Sequence, residues 1–199
     1  MLSDVDQNHY NYHAFQLATT GVATCFAVVV FLNKNGQNLI YIAHFSNFFS
    51  IVSPSPQDSK LETKDALDCL IKRIYENASS EHTVQFIHVL FIGSDQNSGS
   101  YIAEALKMLI LDARNYLLSP ALANFLTNIT VVMMGINFMD GKQTPETVTE
   151  CKIVARSVPT LTVIVQVVSP FSAPLCLIRI DLSVMTIDTI MSSPMNQFG

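Results

Sequence analysis

Positive charge never gathers in this chain: its 199 residues hold 11 Lys and Arg, none of them in a run, and the formal net charge is −5. Nucleic acid and anionic membrane are therefore poor partners, because both need a basic patch. A long apolar run is missing too. The longest, Val22 to Leu32, is broken by Thr24 and is too short to span a bilayer. The start, Met-Leu-Ser-Asp-Val-Asp, has no basic region of the kind that opens a secretory signal. The 4 cysteines, Cys25, Cys69, Cys151 and Cys176, form no CxxC pair. Dense disulfides and a structural zinc site are disfavoured, which suits a reducing, cytoplasmic compartment. There is no internal repeat and no low-complexity tract.

What is present argues for a packed domain. Hydrophobic residues make up 49% and charged residues 14%, a balance that excludes disorder. The length suits one domain with a full core. Residues 1–13 are polar and read as a flexible lead-in, 14–191 as a single domain, and 192–199 as a frayed tail. Phe15 to Thr20 reads as a strand delivered to a turn at Gly21. Cys25 to Leu32 reads as a buried β-branched strand. Asn33-Lys34-Asn35-Gly36 reads as a hairpin turn, and Leu39 to Phe45 as the returning strand. A helix is expected from Lys60 to Asn77, capped by Asp58 or Ser59. Its apolar stripe is Ala66, Leu67, Leu70, Ile71, Ile74 and Tyr75, and Cys69 lies beside it as a structural residue.

Val84 to Ile92 reads as a strand and Gly93 to Gly99 as a polar loop. Ser100 to Leu118 reads as a second helix with Ile102, Ala105, Leu106, Leu109, Ile110 and Ala113 facing inward. Strands are expected at Ile129–Gly135, Cys151–Ala155, Leu161–Val168 and Leu175–Leu182. The order is hairpin, helix, strand, helix, then several strands. It predicts an α+β fold, a β-sheet sandwich with helices packed on one side.

One constellation carries chemistry. The hairpin places Cys25 at the start of one strand and His44 at the end of its antiparallel partner, so both lie at the same end. Cross-strand neighbours sit about 4.5–5.5 Å apart, within which a thiol and an imidazole can meet. A strand ending near Thr19 can bring a hydroxyl to the far ring nitrogen, and alternation puts Thr19 and Thr20 on opposite faces. A free thiol with a pKa of about 8.5 is only slightly ionised at neutral pH. A paired imidazole raises the thiolate fraction and later protonates a departing amine. A third group fixes the imidazole tautomer. Each residue alone has a plainer reading: cysteine is commonly buried, and threonine is a good strand residue.

The stretch Thr19-x-Gly21-x-x-Thr24-Cys25, an apolar strand, a turn and then Ala43-His44 resembles the chemotaxis deamidase CheD family. The likeness to the protein N-terminal asparagine amidohydrolase family is closer. It rests on Ala23-Thr24-Cys25-Phe26-Ala27-Val28-Val29-Val30, on Asn35-Gly36 and on Ile42-Ala43-His44. A second block, His88-Val-Leu-Phe-Ile-Gly93-Ser94-Asp95 followed by a helix, fits as well. Together they cover residues 17–140. The resemblance implies a CheD-like cysteine hydrolase architecture and a Cys25, His44, Thr19 triad. It also implies hydrolysis of a side-chain carboxamide, most closely that of a protein N-terminal asparagine, without cofactor or metal.

In that reading the substrate is a protein or peptide, Thr24, Ser94 and Asp95 contribute to its binding, and the product feeds degradation signals in the cytoplasm or nucleus. A substrate N-terminus needs a carboxylate for its α-ammonium, for which Asp95 comes first and Glu104 second. The CheD likeness leaves internal glutamine as the alternative substrate, and a silent binding module of the same fold is a third reading. This chain departs from the amidohydrolase family at Phe26, where the family has a histidine, and in its shorter flanks. His9 and His13 read as solvated, His88 as a core or supporting residue, and Met133 and Met134 as core.

Overall fold

The computed structural model describes residues 4–22, 25–46, 55–76, 84–93, 96–134, 150–168 and 176–191. Two five-stranded sheets stack face to face, and three helices cover the outer face of one of them. The first sheet has the order β1-β4-β3-β5-β6, built from β1 Tyr10–His13, β3 Phe26–Lys34, β4 Gln37–Phe45, β5 Val84–Gly93 and β6 Ile129–Met134. The second has the order β10-β9-β8-β7-β2, from β2 Gln16–Val22, β7 Glu150–Arg156, β8 Thr162–Val168, β9 Cys176–Asp181 and β10 Thr186–Met191. The helices are α1 Pro56–Glu76, α2 Gln96–Arg114 and α3 Pro120–Thr127. The expected α+β sandwich with helices on one side is this fold.

The first sheet is the central layer, and its residues alternate accordingly. Phe26, Val28, Val30 and Leu32 of β3, with Tyr41 and Ala43 of β4, pack under the helices. Ala27, Val29 and Phe31, with Ile40 and Ile42, pack against the second sheet. Both faces of β3 are covered, so its apolar run is continuous instead of alternating with polar residues. The second sheet supplies Leu17, Ile153, Ala155, Val163, Val165, Ile178 and Ile180 to that inner core. Each buried Leu, Ile or Val among them contributes about 1.5–3 kcal/mol.

The β3–β4 hairpin turns on Asn35 (φ 54°) and Gly36 (φ 81°), the left-handed pair that a two-residue turn requires. The helix stripes are as expected: Leu67, Leu70, Ile71 and Ile74 of α1 are buried, as are Ile102, Ala105, Leu106, Leu109 and Ala113 of α2. Cys69, by contrast, is exposed on α1.

Several boundaries differ from expectation. Helix α1 starts at Pro56, and Ser55 caps it: Asp58 N donates to Ser55 Oγ (3.1 Å) while Ser55 Oγ donates to Asp58 Oδ2 (2.6 Å). Proline at the first helical position needs no N–H, which is why the helix runs through it. Helix α2 begins at Gln96, inside the stretch read as loop, and Ser119 caps a third helix that the periodicity did not separate from α2. Gly21 is not a turn. It sits inside β2 at φ 73°, where the pairing with β7 shifts register between Thr19 and Val22. A glycine at a bulge supplies that backbone without steric cost. Strand β10 was not anticipated, and the tail at 192–199 lies outside the described residues.

The largest correction is at the N-terminus. Residues 4–13 are not a loose lead-in. Asp4 bridges Ala18, Val5 N donates to Ala18 O (2.8 Å), and the Val5 side chain enters the core between the sheets. The chain then turns through Asp6–His9 and pairs as β1 with β4. This segment therefore passes from the edge of the second sheet to the edge of the first. Polar composition concealed it because nearly every side chain except Val5 faces solvent.

Candidate active site

Register places the two central residues. Ala27 is the cross-strand partner of His44. Cys25 stands two residues before Ala27, just ahead of β3, and His44 is two beyond Ile42 on β4. His44 therefore continues the row of Ile40 and Ile42 that faces the second sheet, and Cys25 stands in the bend just ahead of β3 at the matching end. They are diagonal cross-strand neighbours, a relation in which Cα atoms lie about 7–8 Å apart and longer side chains still meet. The sequence predicted the same end of the hairpin, and the register makes the relation there diagonal. Cys25 is 7% exposed and His44 is 2% exposed.

Thr19 comes from the other sheet. On β2 it points inward with Leu17, whereas Thr20 is exposed and donates to Asp4 Oδ2 (2.8 Å). The Thr19 hydroxyl donates to Val5 O (2.6 Å) and lies 2.8 Å from His44 Nδ1. A hydroxyl has one proton. With that proton committed to the Val5 carbonyl, Thr19 Oγ1 accepts from His44 Nδ1–H. The imidazole is thereby fixed in the tautomer whose Nε2 holds a lone pair. Nε2 is buried and has no hydrogen-bond partner among the described residues. Burial pushes the His44 pKa below its ordinary value, against the smaller opposing pull of the Val5 carbonyl and the Asp4 and Asp6 carboxylates. His44 is thus a neutral base held ready at physiological pH.

The sulfur has its own contact, which the sequence did not signal. Gln7 Nε2 donates to Cys25 Sγ (3.0 Å). Gln7 is in a turn tied to the end of β4: Asn8 N donates to His44 O (2.7 Å), His44 N to His9 O (3.0 Å) and Ser46 N to Asn8 Oδ1 (3.0 Å). The same N-terminal segment therefore orients Thr19 through Val5 and reaches Cys25 through Gln7.

Gly93 closes the site from the other side. It ends β5 opposite Phe26 with φ 116°. A Cβ there would stand 2.5 Å from Val22 Cγ1 and 2.8 Å from Cys25 O. Only glycine lets β5 pass this close to the cysteine. Phe26 stacks on Phe45 (ring centroids 5.2 Å apart) in the core beneath the helices, which is why an apolar ring follows the cysteine.

Other singled-out residues lie elsewhere. His88 pairs with Phe31, five residues along β3 from Phe26, and its Nδ1 is 2.9 Å from Thr130 Oγ1. At about 3.4 Å per residue it is remote from Cys25. His9 and His13 are exposed and contact neighbouring backbone, His9 Nδ1 at 2.9 Å from Gln7 O. Met133 packs partly buried against the inner core. Glu104 is on α2 in an exposed pair with Lys107 (3.2 Å). Thr24, Ser94 and Asp95 lie outside the described residues. Among the described residues no three His, Cys, Asp or Glu side chains cluster as metal ligands, and no helix is long and apolar enough to cross a membrane.

Comparison with protein-family models and with curated proteins finds no match to this chain. Its functional reading therefore stands on the site geometry together with the resemblance of its motifs.

Proposed function

We propose that this protein is a cysteine amidohydrolase that deamidates a side-chain carboxamide of a protein or peptide. The observation that carries the reading is the hydrogen-bond chain Val5 O, Thr19 Oγ1, His44 Nδ1, which leaves an unpartnered Nε2 on a residue whose strand register sets it diagonally across from Cys25. A buried imidazole oriented by a hydroxyl beside a buried thiol is what nucleophilic acyl transfer requires.

In this mechanism His44 Nε2 takes the thiol proton and the sulfur attacks the carboxamide carbon. The carbon–sulfur bond forms and the carbonyl π pair moves to oxygen. Collapse breaks the carbon–nitrogen bond, and ammonia leaves with the proton from His44. Water, deprotonated by the same nitrogen, then attacks the thioester. The carbon–sulfur bond breaks, yielding a carboxylate and the free thiol. No redox partner or metal enters the balance.

The resemblance to N-terminal asparagine amidohydrolases favours an N-terminal asparagine as substrate and a place in the generation of N-terminal degradation signals, in the cytoplasm or nucleus. The α-ammonium of such a substrate calls for a carboxylate. Asp95 was the expected one. Asp4 and Asp6, whose fields reach His44, are carboxylates beside the site among the described residues.

The test is mass spectrometry of peptides that begin with Asn, peptides acetylated in front of the same Asn, and proteins with internal Gln. Conversion of the free Asn peptide alone, lost in Cys25→Ala and His44→Ala, is the expected result. Turnover of internal Gln alone moves the substrate assignment to the CheD-like alternative. If no amide turns over and Cys25 reacts with iodoacetamide no faster than an ordinary thiol below pH 8, the chain is a binding module.

A further inference from the structure

Gln7 does more than cover the sulfur: we infer that its side-chain N–H is a catalytic donor that stabilises the Cys25 thiolate and then the charge that this thiolate passes to the substrate carbonyl. The inference rests on the amidohydrolase reading and extends it to a residue that no motif marks.

Three observations carry it. Gln7 Nε2 is 3.0 Å from Cys25 Sγ, so the amide touches the atom that forms the new bond. An amide nitrogen is only a donor, so the contact strengthens when the sulfur is an anion. The backbone that carries this side chain is also held in place. Gln7 follows Asp6 in a turn closed by His9 N to Asp6 O (3.1 Å), with Asn8 at φ 62°. Asn8 and His9 are bonded to the backbone of His44, and Asn8 accepts from Ser46. The donor and the base are thus mounted on one backbone unit tied together by main-chain hydrogen bonds.

The chemistry follows from position. Deprotonation puts a negative charge on Sγ, and attack moves that charge to the carbonyl oxygen, two bonds away. A donor already aimed at the sulfur needs only a small rotation to follow it. Preorganised donors of this kind stabilise acyl-transfer transition states strongly because they do not have to reorganise during the reaction.

The experiment follows alkylation of Cys25 by iodoacetamide against pH, read at the Cys25 peptide by mass spectrometry in the full-length chain. Wild type, Gln7→Ala, Gln7→Glu and His44→Ala are compared, with melting temperatures as the fold check. Gln7 is exposed, so both Gln7 variants are expected to fold. The midpoint of the profile should rise by about one pH unit in Gln7→Ala and further in Gln7→Glu, where an anion replaces the donor. The kcat for the Asn peptide should fall at least about tenfold in Gln7→Ala, with KM changed much less.

An unchanged midpoint in both variants, with a faster plateau, would overturn the inference and make Gln7 a mere cover. Failure of the amidohydrolase reading looks different. In that case no variant turns over an amide, and His44→Ala leaves the wild-type midpoint where it was, whatever Gln7 does.

Discussion

Thr19 shows how much one hydroxyl decides. It is fully buried, and both of its hydrogen bonds go to buried residues, Val5 and His44. Removing it leaves the Val5 carbonyl and His44 Nδ1–H unpaired, at a cost of about 1–3 kcal/mol. It also frees the imidazole to rotate or to adopt the other tautomer. Thr19→Val should therefore lower stability by that amount and remove the extra reactivity of Cys25 toward iodoacetamide at neutral pH. Thr19→Ser keeps the hydroxyl and should retain most of both. Denaturant unfolding and alkylation rates on the two variants check this. Equal behaviour of Val and Ser would mean that the hydroxyl orients nothing. Cys25 and His44 were legible in the sequence because a hairpin aligns its ends, whereas Thr19 was pointed to mainly by the spacing it shares with the CheD family. Gln7 was not legible, because a contact made across a folded-back turn leaves no periodic trace.

At the scale of elements, the site is a junction where three strand ends and one turn converge. Strand β5 meets this junction through Gly93, where the backbone touches Cys25 and a side chain has no room. Gly93→Ala forces a non-glycine residue to φ 116° and drives its Cβ into Val22 and the Cys25 carbonyl. The expected cost is about 2–4 kcal/mol, combining backbone strain with overpacking. The Cys25 backbone should shift with it, so activity should fall more than the lost stability explains. Gly36 is the matched control: it also has positive φ, but nothing lies within 4 Å of a Cβ there. Gly36→Asn, which tolerates the left-handed region, should cost under about 1 kcal/mol and leave the site intact. Thermal unfolding and the deamidation rate of the two variants separate local crowding from general turn strain. The hairpin and the helix stripes could be read from sequence because each is a local pattern. The capping of α1 by Ser55 and the pairing of residues 4–13 could not. The first hung on a helix that starts at Pro56, ahead of the Lys60 start expected from the apolar stripe, and the second on backbone bonds that any side chain permits.

Across the whole molecule, function and stability meet in the acid limb of the pH profile. His44 and His88 both have pKa values lowered by burial. An unfolded histidine titrates at about 6.5. Above that value neither state is protonated, and the full stability is present. As pH falls below it, the unfolded chain takes up protons that the folded chain refuses, and stability drops until the folded pKa is reached. Each histidine can contribute a slope of at most about 1.4 kcal/mol per pH unit in that window. His44 should dominate, because it is buried whereas His88 is only partly buried. Groups around His44 include the Thr19 hydroxyl, the Val5 carbonyl, the Asp4 and Asp6 carboxylates and, diagonally across the hairpin, Cys25; the two carboxylates soften the slope without reversing it. Asp181, whose pKa is lowered chiefly by its bond from the Ser183 hydroxyl, contributes stability that is lost as pH falls from the ordinary carboxylate value through its lowered one, outside this window. Urea unfolding at intervals between pH 7.5 and about 5 should show the decline beginning near 6.5. His44→Gln should flatten most of it, and His88→Gln much less. A wild-type profile flat across this interval would mean that His44 accepts its proton in place, and the neutral buried base on which the proposed chemistry depends would be lost with it.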